Sequence, residues 1–223
     1  MSTGTLAVPF WSPEEIESSI GATLAHLAAG RVLAYPTETV YGFGGSPDFD
    51  AVESLVAMKG RPPGKPFLLL ISGSDMIGRL DLHLTSEAAA LAARHWPGPL
   101  TLVLRGAERR VPARLRGPEG GIAVRWTSHH GLARLISAMG EPLTSTSANR
   151  PGVQPAVTAG EVVEQWGDHI RRGTLRVLDG GRLSPSSPST VVDCTGRRPR
   201  VIRPGAIAAA VLRESVPDLI GDA

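Results

Sequence analysis

The sequence predicts an α/β fold in which helices are layered on a mixed sheet. Three observations predict it. Apolar runs of strand length alternate with capped, helix-length segments along the chain. Some of those runs, "FLLLIS" at 67–72 above all, are continuously apolar, as strands covered on both faces are. Glycine and proline punctuate most junctions.

The elements follow in order. "SPEE" opens a helix: Ser12 caps it, Pro13 takes its first position and Glu15 completes a capping box. That helix runs to about Ala29 and stops at Gly30. "RVLAYPT", 31–37, is a strand stopped by Pro36. The glycine-rich "YGFG" reads as a turn, and 50–59 as a short helix ended by Gly60. After the 67–72 strand comes an alanine-rich helix, 85–96, ended by "PGP". Strands are expected near 100–106 and 121–126, a helix at 129–139, and a strand at 142–149 that runs into a loop. Thr158 and Glu161 form a second capping box, for a helix over 158–167. "LRVLDGG", "STVVDC" and "RVIRPG" are three more strands, and a last helix begins near Ala206. The Pro/Ser-rich stretch 182–189 reads as a loop, not a linker, because strands follow it at once. Residues 1–223 are therefore expected to form a single domain.

Composition narrows the function classes. With 42% hydrophobic residues and a mean hydropathy of +0.01, the chain can build an ordinary soluble core. Its net charge of +2 and pI of about 9.1 suit an anionic ligand without demanding nucleic acid. Aromatics at 4% are too few to suggest a base-stacking surface. Cys194 is the lone cysteine, which excludes an internal disulfide. No leader pattern is visible at the N-terminus, and no apolar run approaches the ~18–20 residues of a membrane helix. The expected compartment is cytoplasmic.

The search for chemistry begins with an exclusion. There is no G-x-S-x-G elbow. Cys194 lies inside a strand-like run and reads as a buried structural thiol. The six histidines are scattered without metal spacing. Anion binding comes next. Lys59 and Lys65 are the only lysines, set six residues apart in "KGRPPGK", in a chain whose other basic residues are twenty-one arginines. The stretch superficially resembles a Walker loop, but the G-x-x-x-x-G-K-[ST] spacing fails. Pro62, Pro63 and Pro66 also have no N–H, so successive amides cannot cradle phosphate here. An anion would have to be held by the side chains of Lys59, Arg61 and Lys65. A K-x-R pair alone also reads as a solvated basic loop. Small hydroxyls and arginines at other strand ends shift the balance: Thr37 to Thr39, "STSAN" at 145–149, "PST" at 188–190 and "RPG" at 203–205. Strand ends of open α/β sheets are where ligands bind.

Six ordered segments carry a resemblance: "AYPTETVYGFG", "KGRPPGKPFLLLI", "WPGPLTLVL", "GIAVRW", "STSAN" and "PSTVVD…VIRPG". Together they resemble the YrdC/TsaC family of threonylcarbamoyl-AMP synthases, over roughly residues 20–206. The resemblance implies a YrdC-like twisted open mixed sheet flanked by helices, with a basic concave face, in the short single-domain form. It implies an enzyme, a nucleotidyltransferase that condenses L-threonine, bicarbonate and ATP to threonylcarbamoyl-AMP and pyrophosphate. The product would serve N6-threonylcarbamoyladenosine formation at position 37 of tRNAs reading ANN codons, through a threonylcarbamoyl-transferase complex. Weak tRNA binding would accompany this, and Mg2+ would enter with ATP.

By the same resemblance, Lys59 and Arg61 are catalytic. Lys59, Arg61, Lys65, Ser147, Asn149 and Arg203 would contact ATP, and Thr39, Arg125, Ser145 and Ser189 would surround threonine. The chain departs from some relatives at Leu70, where they carry a histidine, and in the loop "RPGVQPAVT" after "SAN". Other readings are an RNA-binding module on this fold, a domain handling another carbamoyl-type substrate, and a paralogue without the activity.

Overall fold

The structure is a computed structural model that describes residues 6–62, 65–108, 110–184 and 186–221. Pro63 and Gly64 of the lysine loop and Pro185 of the Pro/Ser-rich stretch lie outside them.

A short strand that the sequence did not suggest, β1 (Val8–Pro9), precedes α1 (Pro13–Ala28). α1 starts as expected. Ser12 Oγ accepts from Glu15 N at 3.2 Å, and Glu15 Oε2 accepts from Ser12 N at 2.9 Å. Gly30 ends it in the left-handed region at φ 68°. β2 (Val32–Tyr35) is wholly buried. β3 (Gly42–Gly44) occupies the segment expected to turn. Close approach of strands selects glycine there. A Cβ on Gly44 would stand 1.7 Å from the Thr144 carbonyl oxygen and 2.8 Å from Tyr35 Oη.

α2 (Phe49–Lys59) is capped by Asp48, whose Oδ1 accepts from Ala51 N at 2.8 Å. Next come β4 (Leu68–Ile71), α3 (Asp75–Arg79), β5 (Leu82–His83) and α4 (Ser86–His95). α3 and β5 are too short to show a period in the sequence. β6 (Leu100–Gly106), β7 (Ile122–Trp126), α5 (His130–Met139) and β8 (Leu143–Ser147) follow, close to expectation.

α6 (Ala159–Arg171) corrects the sequence reading twice. Its Thr158 cap accepts from Glu161 N, but Glu161 reaches back to Val157 N at 2.8 Å, so the second half of the box is missing. The helix also runs past Gly167. Trp166 leaves helical dihedrals to set its indole edge-on against Phe43, centroids 5.1 Å apart, and the helix resumes beyond it. Burial of that ring outweighs the cost of a helical glycine, about 1 kcal/mol.

β9 (Leu175–Asp179), β10 (Thr190–Asp193), β11 (Arg200–Arg203) and α7 (Ala209–Arg213) complete the described chain. α7 starts later than Ala206 because that stretch is tied to the start of β10. Thr190 Oγ1 donates to Ile207 O at 2.7 Å and accepts from Ile207 N at 2.9 Å.

The described strands form one open sheet in the order β1-β9-β2-β3-β8-β4-β7-β6-β10-β11, with β5 beside β6. Parallel and antiparallel neighbours are mixed, as expected. At the centre β8 runs antiparallel between β3 and β4. Tyr35 Oη donates to Thr144 O at 2.8 Å, and Thr144 Oγ1 bonds both Gly45 N and Gly45 O. No helix among the described residues is long and apolar enough to cross a membrane.

Candidate active site

A cleft of about 560 Å3 opens over one face of the sheet, not over strand ends alone: its lining runs along β6, β7, β10 and β11. Strand alternation explains which side chains reach it. Arg125 and Ala123 point the same way from β7, Ser145 and Ser147 from β8, and Thr101 and Val103 from β6. The loop after β2 supplies Thr37 and Thr39. Ser189, just before β10, and Arg203, at the end of β11, close the far wall. Seven of the ten residues expected to hold substrate therefore line one cleft: Thr39, Arg61, Arg125, Ser145, Ser147, Ser189 and Arg203.

The hydroxyls are held in defined orientations. Thr37 Oγ1 accepts from Thr39 N and Val40 N at 3.0 and 3.2 Å and donates to Val40 O at 2.7 Å. The Thr37 and Thr39 hydroxyls lie 3.1 Å apart. Across the cleft, the Thr101 and Ser189 hydroxyls lie 2.9 Å apart. Arg203 Nη2 donates to Ser189 O at 2.7 Å and Ser189 Oγ at 2.9 Å. Desolvation, and then the Arg125 charge, lower the pKa of Arg203. Ser186 Oγ donates to Thr39 O at 3.2 Å, and Pro188 and Ser189, from the same stretch, line the cleft. Arg125 is 4% exposed and pairs with Glu38, Nε to Oε1 at 3.3 Å. Thr127 Oγ1 donates to the other oxygen of Glu38 at 2.8 Å.

The K-x-R and S-x-N segments meet at the opposite end. Lys59, buried in the last turn of α2, donates from Nζ to Ser147 O and Asn149 Oδ1, both at 2.7 Å, and to Asn149 O. Ser147 Oγ donates to Asn149 Oδ1 at 2.6 Å. Lys59 and Asn149 thus stand behind the cleft wall. Burial first, and then the neighbouring Arg61 charge, lower the Lys59 pKa to about 8. Arg61 donates to Lys65 O, Pro66 O and Thr146 Oγ1 at 2.7, 2.7 and 3.0 Å and lies over the Phe67 ring. Lys65 is not brought to the cleft. It lines a second cavity of about 340 Å3 on the other side of Arg61, with Arg114 and Arg116.

Sequence reasoning placed Glu38 in the polar segment after β2 without giving it a role, and it passed over Thr101. Glu38 had a signal, a carboxylate between two threonines just after a strand. Thr101 had only its place in the alternation of β6. Leu70 is fully buried and stands beside Arg125 in register, so an apolar side chain occupies that position. Cys194 is buried and its thiol is pushed up to about 12, chiefly by desolvation, so it is no nucleophile. Among the described residues, no group of three His, Cys, Asp or Glu side chains could hold a metal ion.

The profile of the Sua5/YciO/YrdC family, described as telomere recombination, matches residues 25–205. The chain belongs to the Sua5/YciO/YrdC family. A family member from Pyrococcus abyssi named threonylcarbamoyl-AMP synthase is 34% identical over 211 residues, which cover 94% of this chain and 59% of that protein. The chain thus spans about three-fifths of that relative's length. A Marinobacter nauticus protein of the same name is 39% identical over 166 residues, covering 74% of this chain and 85% of the relative. Among solved Sua5/YciO/YrdC structures, that of P. abyssi Sua5 complexed with L-threonine superposes with a TM-score of 0.85 at 29% identity. It covers 97% of this chain and 63% of the other. The family's twisted open mixed sheet flanked by helices is the architecture found here.

Proposed function

We propose that this chain is an L-threonylcarbamoyladenylate synthase, condensing L-threonine, bicarbonate and ATP to threonylcarbamoyl-AMP and pyrophosphate. One observation carries the reading. A single cleft gathers a buried arginine, small oriented hydroxyls and three further guanidiniums, those of Arg61, Arg200 and Arg203, and among the described residues its lining contains neither histidine nor cysteine. Such a set suits a reaction that needs charge and position but no protein nucleophile. Relatives named threonylcarbamoyl-AMP synthase at 34–39% identity support it.

In this reading the guanidinium of Arg125 takes the threonine carboxylate through its planar fork. Thr39, Ser145 and Ser189 surround the rest of the amino acid. Bicarbonate takes up a proton and loses water to give CO2; the threonine amine, as the free base, bonds to its carbon, one C=O electron pair moves onto oxygen, and an N–H proton leaves to give the carbamate. An oxygen of the resulting carbamate attacks the α-phosphorus in line, and pyrophosphate leaves with the electrons of the broken P–O bond. Arg61, Ser147 and Arg203 would hold the nucleotide from the cleft lining; Asn149 and Lys59, now bonded to each other behind the wall, would join them only on exchanging those bonds for the nucleotide, and Lys59 and Arg61 would then offset charge at the α-phosphate. Holding these anions together in line is the larger part of the rate gain. Mg2+ would enter on ATP, with ligands drawn mainly from phosphate oxygens and water. The intermediate would pass to a transferase complex acting on position 37 of tRNAs that read ANN codons.

ATP–pyrophosphate exchange tests the reading. Exchange that requires both threonine and bicarbonate is expected. Salt-sensitive tRNA binding without threonine-dependent exchange would favour an RNA-binding module instead. Arg125→Ala is expected to raise the threonine requirement by roughly a hundredfold, the loss of a charged bidentate contact, with little change for ATP. Equal effects on both substrates would count against its role.

A further inference from the structure

We infer that Glu38 is a positioning residue that aims Arg125 at the substrate carboxylate, and that the start of α5 aims Glu38 in turn. The inference rests on the reading of the cleft as an amino-acid site and assigns its threonine end a part that no cleft-lining residue supplies.

The observations form one connected chain. Arg125 is 4% exposed, and its side chain and that of Glu38 are 5% and 13% exposed. A buried guanidinium is costly unless it is paired and hydrogen-bonded. Yet Arg125 Nε and Glu38 Oε1, 3.3 Å apart, are both buried with no hydrogen-bond partner among the described residues. The pair is thus close enough to fix the guanidinium electrostatically, but its geometry leaves it under-satisfied. Such a guanidinium keeps donors for a ligand carboxylate. Glu38 does not line the cleft, and Arg125 does. The carboxylate therefore acts from behind.

Glu38 is itself held at two levels. Thr127 Oγ1 donates to Glu38 Oε2 at 2.8 Å, and the same oxygen of Thr127 accepts from His129 N at 3.1 Å. His129 caps α5, its ring nitrogen accepting from Leu132 N at 3.2 Å. On the backbone side, the Thr37 hydroxyl turns the 37–40 segment so that Glu38 and Thr39 occupy adjacent places in it. Arg125 lies near the end of β7 and Thr127 just beyond it, two residues on. The contact therefore joins the loop after β2 to the end of β7 and the start of α5.

One consequence is specific. Loss of the Glu38 charge should loosen the orientation of Arg125 and leave its cation buried without an anion until substrate arrives. Threonine affinity should suffer while nucleotide affinity, which depends on the other end of the cleft, should not.

Titration calorimetry with L-threonine and, separately, with ATP tests this on wild type, Glu38→Gln, Arg125→Lys and the double variant. Glu38→Gln is expected to weaken threonine binding by roughly tenfold or more, with ATP binding unchanged. In the Arg125→Lys background the same substitution should add little, because the two residues act as one unit. Thr127→Val, which keeps the Glu38 charge, should give a smaller loss of threonine affinity. Wild-type threonine affinity in Glu38→Gln, additive effects with Arg125→Lys, or parallel losses for threonine and ATP would each overturn the inference. Thermal melts of each variant separate misfolding from a binding defect, and Thr127→Val keeps the test available if Glu38→Gln does not fold. Wild type that binds threonine but shows no threonine-dependent exchange would sink the proposed reaction and leave this inference standing.

Discussion

In the proposed reaction, Lys59 is the residue at which stability and catalysis pull in opposite directions. Its pKa lies near 8 in the folded chain against an ordinary 10.5. Between those values the unfolded chain binds the extra proton, so this group's contribution to stability rises with pH across the window. Its usefulness as a cation falls over the same range. Turnover is therefore expected to decline above about pH 8. Lys59→Arg should move that limb to higher pH, since a guanidinium stays charged. Lys59→Ala should remove most activity at any pH. A pH–rate profile whose alkaline limb is unmoved in Lys59→Arg would separate the limb from this residue.

Individual elements show which signals a sequence carries. α1 was legible to its caps because Ser12, Pro13, Glu15 and Gly30 act locally, within one turn of the residues they cap. β4 was legible from its continuous apolar run, and β7 from a short apolar run interrupted only by Arg125. β3 was not, because what selects its glycines is a strand a hundred residues away in sequence, which no local window contains. Gly44→Ala tests this. The added Cβ would collide with the Thr144 carbonyl, so a cost of about 3 kcal/mol or more is expected. The corresponding fall in Tm would be roughly 6 °C or more, and a shift under ~2 °C would mean that β8 can yield. The site divides along the same line. Arg125 and the serines were legible from the motifs they occupy. Lys59 standing behind the wall and Lys65 facing a second cavity were not, because only the packing of α2 against the 145–149 loop decides which side a lysine faces.

At the scale of the whole molecule, the cleft spans a sheet whose interior and β11 edge differ in burial. β2, β4 and β7 are mostly or wholly buried, whereas β11 is largely exposed and ends in Arg203. Peripheral strands with few buried side chains open most readily. Threonine and ATP together are expected to slow amide exchange in β10 and β11 more than in β4 and β7, since Arg203 and Ser189 would be tied through the ligand. Hydrogen exchange read by mass spectrometry checks this; equal slowing in all four strands would mean that the ligands act on global stability alone. The internal bonds of Lys59 and Arg61 have a kinetic counterpart. Each cation already holds three oxygens of its own chain. A nucleotide reaching for them must exchange with seated partners, so its arrival would be timed by the release of Lys59 and Arg61 from those oxygens and not by diffusion.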